Sequence, residues 1–173
     1  GKGTFYAVNN NRYVGLWYRN KKEGSGTMYY YNGARYEGSW KNDKRNGKGL
    51  YTYENGAFYK GDWVDDKKSG KGIFDWGDGE KYEGSWANNE RNGRGTYFYA
   101  TGDYYVGDWK NDMQDGRGIY KFKNGDVYEG QYLLGERSGE GTMRFASGDT
   151  YTGSFLQGEQ SGKGTFIWKG VAT

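Results

Sequence analysis

The chain has 173 residues with a net charge of +3, 33 glycines, 19 tyrosines, 8 phenylalanines and 7 tryptophans, but no cysteine and no histidine. The missing cysteines exclude disulfides, thiolate metal sites and cysteine nucleophiles, and nothing argues for an oxidising compartment, so a cytoplasmic setting is the default. No apolar run approaches the ~20 residues of a membrane-spanning helix and no signal peptide opens the chain, so any membrane contact is peripheral.

One pattern runs through the whole sequence. Tyr13, Tyr36, Tyr59, Tyr82, Tyr105, Tyr128 and Tyr151 follow one another at intervals of 23 residues, with no insertion. Residues 1–12 align with the second half of such a unit. The expected organisation is therefore a half repeat (1–12) and full repeats at 13–35, 36–58, 59–81, 82–104, 105–127, 128–150 and 151–173, forming a single array. Because the chain begins halfway through a unit, it reads as a segment of a longer polypeptide. With mean hydropathy at −1.15 and few aliphatics, burial must come from aromatic rings on a thin sheet.

Within each unit, positions 1, 3 and 5 read Tyr, Gly and an aromatic (Tyr36, Gly38, Trp40), and this period-two pattern predicts a strand. The next six residues, Asn42 to Gly47 in the second full copy, are polar and read as a hairpin loop. A second alternation at positions 14, 16 and 18 (Gly49, Tyr51, Tyr53) predicts the return strand. Pairing position 6 with 13 would set Trp40 opposite Gly49, Gly38 opposite Tyr51 and Tyr36 opposite Tyr53. Copies join through Asn32-Gly33, Asn55-Gly56, Asp78-Gly79, Thr101-Gly102, Asn124-Gly125 and Ser147-Gly148. Keeping all the rings on one face requires a three-residue turn there, with Gly in the left-handed conformation. The expected fold is all-β: an elongated, twisted antiparallel meander of hairpin repeats, each unit touching its neighbours. The last unit departs at Lys169 to Thr173, where the usual turn is replaced.

The unit Tyr-x-Gly-x-Trp, a polar loop, then Gly-x-Gly-Thr-Tyr-x-Tyr-x-Asn-Gly-Asp resembles the MORN repeat (membrane occupation and recognition nexus) over all 173 residues. Departures are mild: Tyr132 and Phe155 replace Trp, and Glu23, Asn46, Ser69, Asn92, Asp115, Ser138 or Ser161 stands where His is often found. The resemblance implies an elongated β-scaffold or peptide-binding groove, of the kind found in cytoskeletal, ciliary and membrane-junction proteins and beside enzyme domains. Two stretches in variable positions, Gly118 to Gly125 and Arg19 to Lys22, are similar to radial spoke head proteins of cilia.

Little in the chain points to catalysis. No Ser stands in a nucleophile-elbow setting, and the carboxylates Asp65 and Asp66, or Asp78 and Glu80, sit at solvated loop and turn positions. Gly-Lys-Gly triplets such as Gly47 to Gly49 lack the phosphate-loop spacing. The chain is accordingly read as a non-enzyme, with no cofactor and no metal.

Two surfaces are candidates for binding. Tyr36, Trp40, Tyr59, Trp63, Tyr82, Trp86, Tyr105 and Trp109 would form an aromatic face, which serves as the core and also offers itself to a partner. Charge is uneven, with +6 over residues 1–58, −4 over 59–150 and +1 over 151–173. Arg19, Lys21, Lys22, Lys41, Lys44, Arg45 and Lys48 would form a basic strip suited to anionic lipid headgroups. The acidic middle argues against nucleic acid.

The leading functional reading is a non-catalytic scaffold or protein-interaction module that organises a cytoskeletal or ciliary, radial-spoke-like assembly. Homodimeric or end-to-end contacts are expected at open strand edges. The alternatives are peripheral recognition of anionic phospholipids, or an accessory region attached to an enzyme domain elsewhere. A bacterial wall-binding module ranks last, because its repeat is shorter.

Overall fold

A computed structural model describes residues 1–7 and 9–170. Val171, Ala172 and Thr173, part of the expected departure in the last unit, lie outside the described residues. Among the described residues, all the regular structure is β-strand. The chain divides into two units, residues 1–90 and 91–173. The first holds β1 (Lys2–Tyr6), β2 (Arg12–Tyr18), β3 (Lys21–Tyr29), β4 (Arg35–Lys41), β5 (Lys44–Thr52), β6 (Phe58–Val64), β7 (Lys67–Asp75) and β8 (Lys81–Ala87). The second runs from β9 (Glu90–Phe98) through β10 (Tyr104–Lys110), β11 (Met113–Lys121), β12 (Val127–Leu133), β13 (Glu136–Arg144) and β14 (Thr150–Leu156) to β15 (Glu159–Ile167). Within each unit, every strand pairs antiparallel with the next in sequence, which is the expected meander.

The two kinds of turn differ in construction. Between copies, Tyr30 N–H donates to Ala34 O at 2.9 Å and Gly33 N–H to Tyr30 O at 3.0 Å, enclosing the three residues 31–33. Gly33 has φ +93°, and an L side chain is strained in that conformation. This is the turn the parity argument requires.

Within a copy, the six-residue loop expected at 42–47 is corrected to two residues. Asn42 and Asp43 have φ of 49° and 67°, and Lys41 pairs directly with Lys44. Such a double left-handed turn matches the twist of the flanking strands and favours Asn and Asp. Arg45, Asn46 and Gly47 therefore belong to β5. The register changes accordingly: Tyr36 faces Tyr51, Gly38 faces Gly49 and Trp40 faces Arg45, with a bulge between Gly38 and Trp40. The glycine opposite Trp40 is Gly24 of the preceding copy, not Gly49.

The paired glycines have a steric reason. A Cβ on Gly49 would fall inside the Tyr36 ring, and one on Gly38 would meet the Lys48 carbonyl oxygen at 2.5 Å. The Tyr36 ring thus lies over bare backbone, and its hydroxyl donates to Ser39 O at 2.9 Å, where the bulge interrupts the pairing. The same bond recurs from Tyr13, Tyr59, Tyr82, Tyr105, Tyr128 and Tyr151. Each of these phenols is accordingly buried without leaving its hydroxyl unpaired.

Candidate functional site

The eight rings expected to serve both as the core and as a partner-facing surface are buried as the core. Tyr36, Tyr59, Tyr82 and Tyr105 are 0 % exposed, and Trp40, Trp63, Trp86 and Trp109 no more than 6 %. Tyr36 meets Trp40 edge to face at 5.0 Å on its own strand and Trp63 of the next copy at 5.5 Å. Tyr59 repeats this with Trp63 at 5.1 Å and Trp86 at 5.3 Å. In the second unit Tyr105 meets Trp109 at 5.4 Å and Tyr132 at 5.0 Å. Edge-to-face contacts set a positive ring edge against a negative face, so the ladder is held by geometry as well as by area. Trp40 Nε1–H donates to Gly26 O at 3.1 Å, and Trp63, Trp86 and Trp109 donate to Gly49, Gly72 and Gly95 in the same way. These rings cannot reach a partner without unfolding the sheet.

A row of cations closes the ladder from the solvent side. Arg45 lies 4.7 Å over Trp63 and 5.3 Å over Tyr51, and its Nε is 2.9 Å from Asp66 Oδ1. Lys22 lies 5.4 Å over Trp40 and pairs with Asp43 at 3.3 Å. Lys68 covers Trp86 at 5.4 Å. In the second unit Arg91 covers Trp109 at 4.7 Å and pairs with Asp112 at 3.0 Å. A cation on a ring face gains from the ring quadrupole, and half-burial strengthens that attraction. The sequence carried a signal for this row: position 10 holds Lys or Arg in Lys22, Arg45, Lys68, Arg91 and Arg137. Assigning that position to a loop hid its role.

The proposed basic strip is therefore divided. Lys22 and Arg45 are committed to rings and carboxylates. Lys48 points to the opposite face, where it pairs with Asp62. Arg19, Lys21, Lys41 and Lys44 remain exposed beside the two adjacent turns at 19–20 and 42–43.

Burial raises the core phenols: Tyr13 is pushed up to about 12, and Tyr36, Tyr59 and Tyr105 are raised as well. Burial works against the Asp43 carboxylate, but the Lys22 N–H and ammonium outweigh it and hold its pKa below the usual 3.8.

A second aromatic row lies beside the ladder and remains half-exposed. In the first unit Tyr30 meets Tyr51 at 5.7 Å, Tyr51 meets Tyr53 at 4.6 Å, Tyr53 meets Phe74 at 5.7 Å and Phe74 meets Trp76 at 4.5 Å, making one zigzag of tilted rings. In the second unit Tyr97, Tyr99, Tyr120 and Phe122 form another, with steps of 4.6, 5.5 and 4.5 Å. On the opposite face, Leu50, Lys60 and Ile73 border a shallow groove over the glycines Gly49, Gly61 and Gly72. Among the described residues, no cluster of acidic side chains is arranged to hold a metal.

Comparison with curated proteins finds no match. Among solved structures, the fold is similar to the TCP domain of SAS-4 (dCPAP) of Drosophila melanogaster, solved in complex with a proline-rich motif of Ana2 (dSTIL). The TM-score is 0.50 at 16% identity, covering 89% of this chain and 90% of that one. It is also similar to the G-box domain of the microcephaly protein CPAP, with TM-score 0.55 at 12% identity, covering 89% and 82% of the two chains. At these identities the likeness is one of fold. The family comparison matches the MORN repeat at residues 13–35, 36–58, 59–81, 82–104, 105–127, 128–150 and 151–170. Those repeats account for the 23-residue period, the ring ladder and the glycine pairs alike, and the chain belongs to the MORN-repeat family.

Proposed function

We propose that the chain is a non-catalytic scaffold module that holds partner proteins against the half-exposed ring row, within a cytoskeletal assembly of ciliary, radial-spoke-like kind. The observation that carries this reading is the division of labour between the two rows. The ladder is closed and supplies rigidity, while Tyr30, Tyr51, Tyr53, Phe74 and Trp76 form a continuous aromatic band that the fold leaves half-exposed. Rings that lose little conformational entropy on contact are favoured anchors of interfaces. Membership of a repeat family with no reaction of its own fits a scaffold. So does a fold shared with CPAP domains, for one of which, the G-box domain, structural analysis suggests a role in centriole elongation.

The test is affinity capture of partners from ciliated-cell extract by the unchanged chain and by a Tyr53→Ser/Trp76→Ser double variant of verified strand content. Loss of the captured proteins with the variant is the expected result. Identical capture by both would end the assignment to this row.

A second reading is favoured by Arg19, Lys21, Lys41 and Lys44, which stay exposed on neighbouring turns and can approach an anionic membrane. Each such cation contributes about 1 kcal/mol near the surface. Co-sedimentation with phosphatidylserine vesicles should then fall steeply between low and high salt, and disappear when Lys21, Lys41 and Lys44 are reversed to Glu. Salt-independent binding would exclude the mechanism.

A further inference from the structure

The edge formed by the two-residue turns changes character along the chain. In the first unit the residues paired across these turns are Tyr18 with Lys21, Lys41 with Lys44 and Val64 with Lys67. In the second unit they are Lys110 with Met113, Leu133 with Glu136 and Leu156 with Glu159. The lysine that closes each turn of the first unit gives way to methionine and then to glutamate. Leu134 adds a further apolar side chain at the tip of its turn. Met113, Leu133, Leu134 and Leu156 are between 47 and 68 % exposed, so four large apolar side chains stand in solvent on three successive turns. Clustering of this kind, unlike single exposed leucines, marks an interaction site.

Leu134 holds its place against backbone preference. Its φ of +50° lies in the left-handed region, where a leucine is strained. Asn42, Asp65, Asn88 and Asn111 fill the same place in other copies with side chains that tolerate it, and the other exceptions, Arg19 and Gln157, are long and polar. An exposed leucine buries little in return for that strain. The turn is nevertheless fixed, since Leu134 N–H donates to Asp115 Oδ2 at 3.4 Å and Gly135 N–H to Gln114 O at 2.9 Å. Beside it a depression of about 340 Å³ lies between Asp115 and Leu133, over Gly116 and Gly139, with Arg117 also in its wall.

Charge and spacing select the occupant. Glu136 and Glu159 are exposed, each paired in register with its leucine. They repel an anionic membrane and attract Lys or Arg. Successive turns are two strands apart, about 9.6 Å, and a helix advances about 10.5 Å in seven residues, so one apolar stripe of a helix meets all three turns. We propose that this edge of the second unit docks a basic amphipathic helix of a partner protein. Its apolar stripe rests on Met113, Leu133, Leu134 and Leu156, and its flanking Lys or Arg lie beside Glu136 and Glu159. The surface shares no residue with the half-exposed ring rows, so the inference stands whether or not those rows hold a partner.

The full chain, labelled at its methionine and leucine methyl groups, is titrated with a peptide of three Leu-Lys-Lys-Leu-Leu-Lys-Lys heptads and followed by methyl NMR. A peptide of the same composition in scrambled order and one with Glu in place of Lys are run in parallel. The basic heptad peptide should shift the methyls of Met113, Leu133, Leu134 and Leu156, with both controls weaker by about tenfold. Leu134→Asn should weaken binding severalfold while raising the midpoint of urea unfolding, because Asn suits the turn; a leucine kept for the fold would lower it. Glu136→Lys/Glu159→Lys should transfer the preference to the acidic peptide. Equal binding of the three peptides, shifts centred elsewhere, or a Leu134→Asn variant that binds unchanged or unfolds at lower urea would overturn the proposal. So would leucine-dependent binding to phosphatidylcholine vesicles in preference to the peptide, which would make the edge a membrane contact.

Discussion

At the scale of single residues, the glycines and the tyrosine over them act as one part. Gly49 leaves space that the Tyr36 ring occupies completely, so Gly49→Ala must expel the ring and lose its bond to Ser39. The expected cost is about 3 kcal/mol, at the upper end for overpacking. Gly56, at φ +88° with nothing within 4 Å, tests conformation alone, and Gly56→Ala should cost about 1 kcal/mol. Urea denaturation of the two variants separates these effects. The buried phenols also set an alkaline limit. Their hydroxyls are raised from 10.0 in the folded chain, to about 12 for Tyr13 and Tyr30. Stability from this source is therefore complete below pH 10 and is lost as pH rises through 12. The midpoint of thermal unfolding should be flat from pH 7 to 9.5 and fall above pH 10, in step with tyrosinate absorbance. A fall beginning near pH 8 would mean that these hydroxyls are not the groups responsible. That glycine faces a ring was readable from the spacing; which ring it faces was not, because the answer depends on a bulge that no single position announces.

At the scale of the hairpin, the two turns show what local sequence can and cannot decide. Asn32-Gly33 was legible because parity left one length that keeps the rings together. The other turn was misread because Asn42 to Gly47 offers two turn signals in succession. Asn42-Asp43 makes the turn, whereas Gly47, at φ +88°, sits at the bulge. Polar residues there do not mean a loop, since Arg45 covers a ring face and Asn46 hydrogen-bonds to Asp65 across the next turn, so the strand end needs no apolar alternation. The misreading carried over to function, turning Arg45 from a lid on Trp63 into a loop-tip charge. Its role predicts that Arg45→Gln costs about 1 to 2 kcal/mol while Arg45→Lys costs much less, because Lys22 and Lys68 close equivalent positions. Chemical denaturation of both variants decides it, and equal losses would reduce the guanidinium to packing.

At the scale of the whole molecule, the periodic spacing was the strongest signal, and it carried the all-β meander directly. What it could not carry was which aromatic row stays open, because rows separated by a few positions have the same composition and differ in cover. Contacts between successive strands make stability local. Gly49→Ala should therefore speed amide exchange in β4 to β7 and leave β11 to β13 at their original rates, as measured by hydrogen–deuterium exchange. Uniform acceleration would instead indicate a single cooperative unit.

The open row also has a pitch. Tyr30, Tyr53 and Trp76 occupy the same place in successive copies, two strands apart, which is about 9.6 Å. Three residues of an extended peptide advance about 10 Å, and three of a polyproline-type helix about 9.3 Å. A bound polyproline-type segment running across the strands would therefore return a side chain to an equivalent ring at every third residue, whereas an extended one, whose side chains alternate faces, would not. On the proposed docking to this band, the mismatch of a few tenths of an ångström per copy would let such a segment stay in step over several copies, so a partner repeating in threes is the one to test.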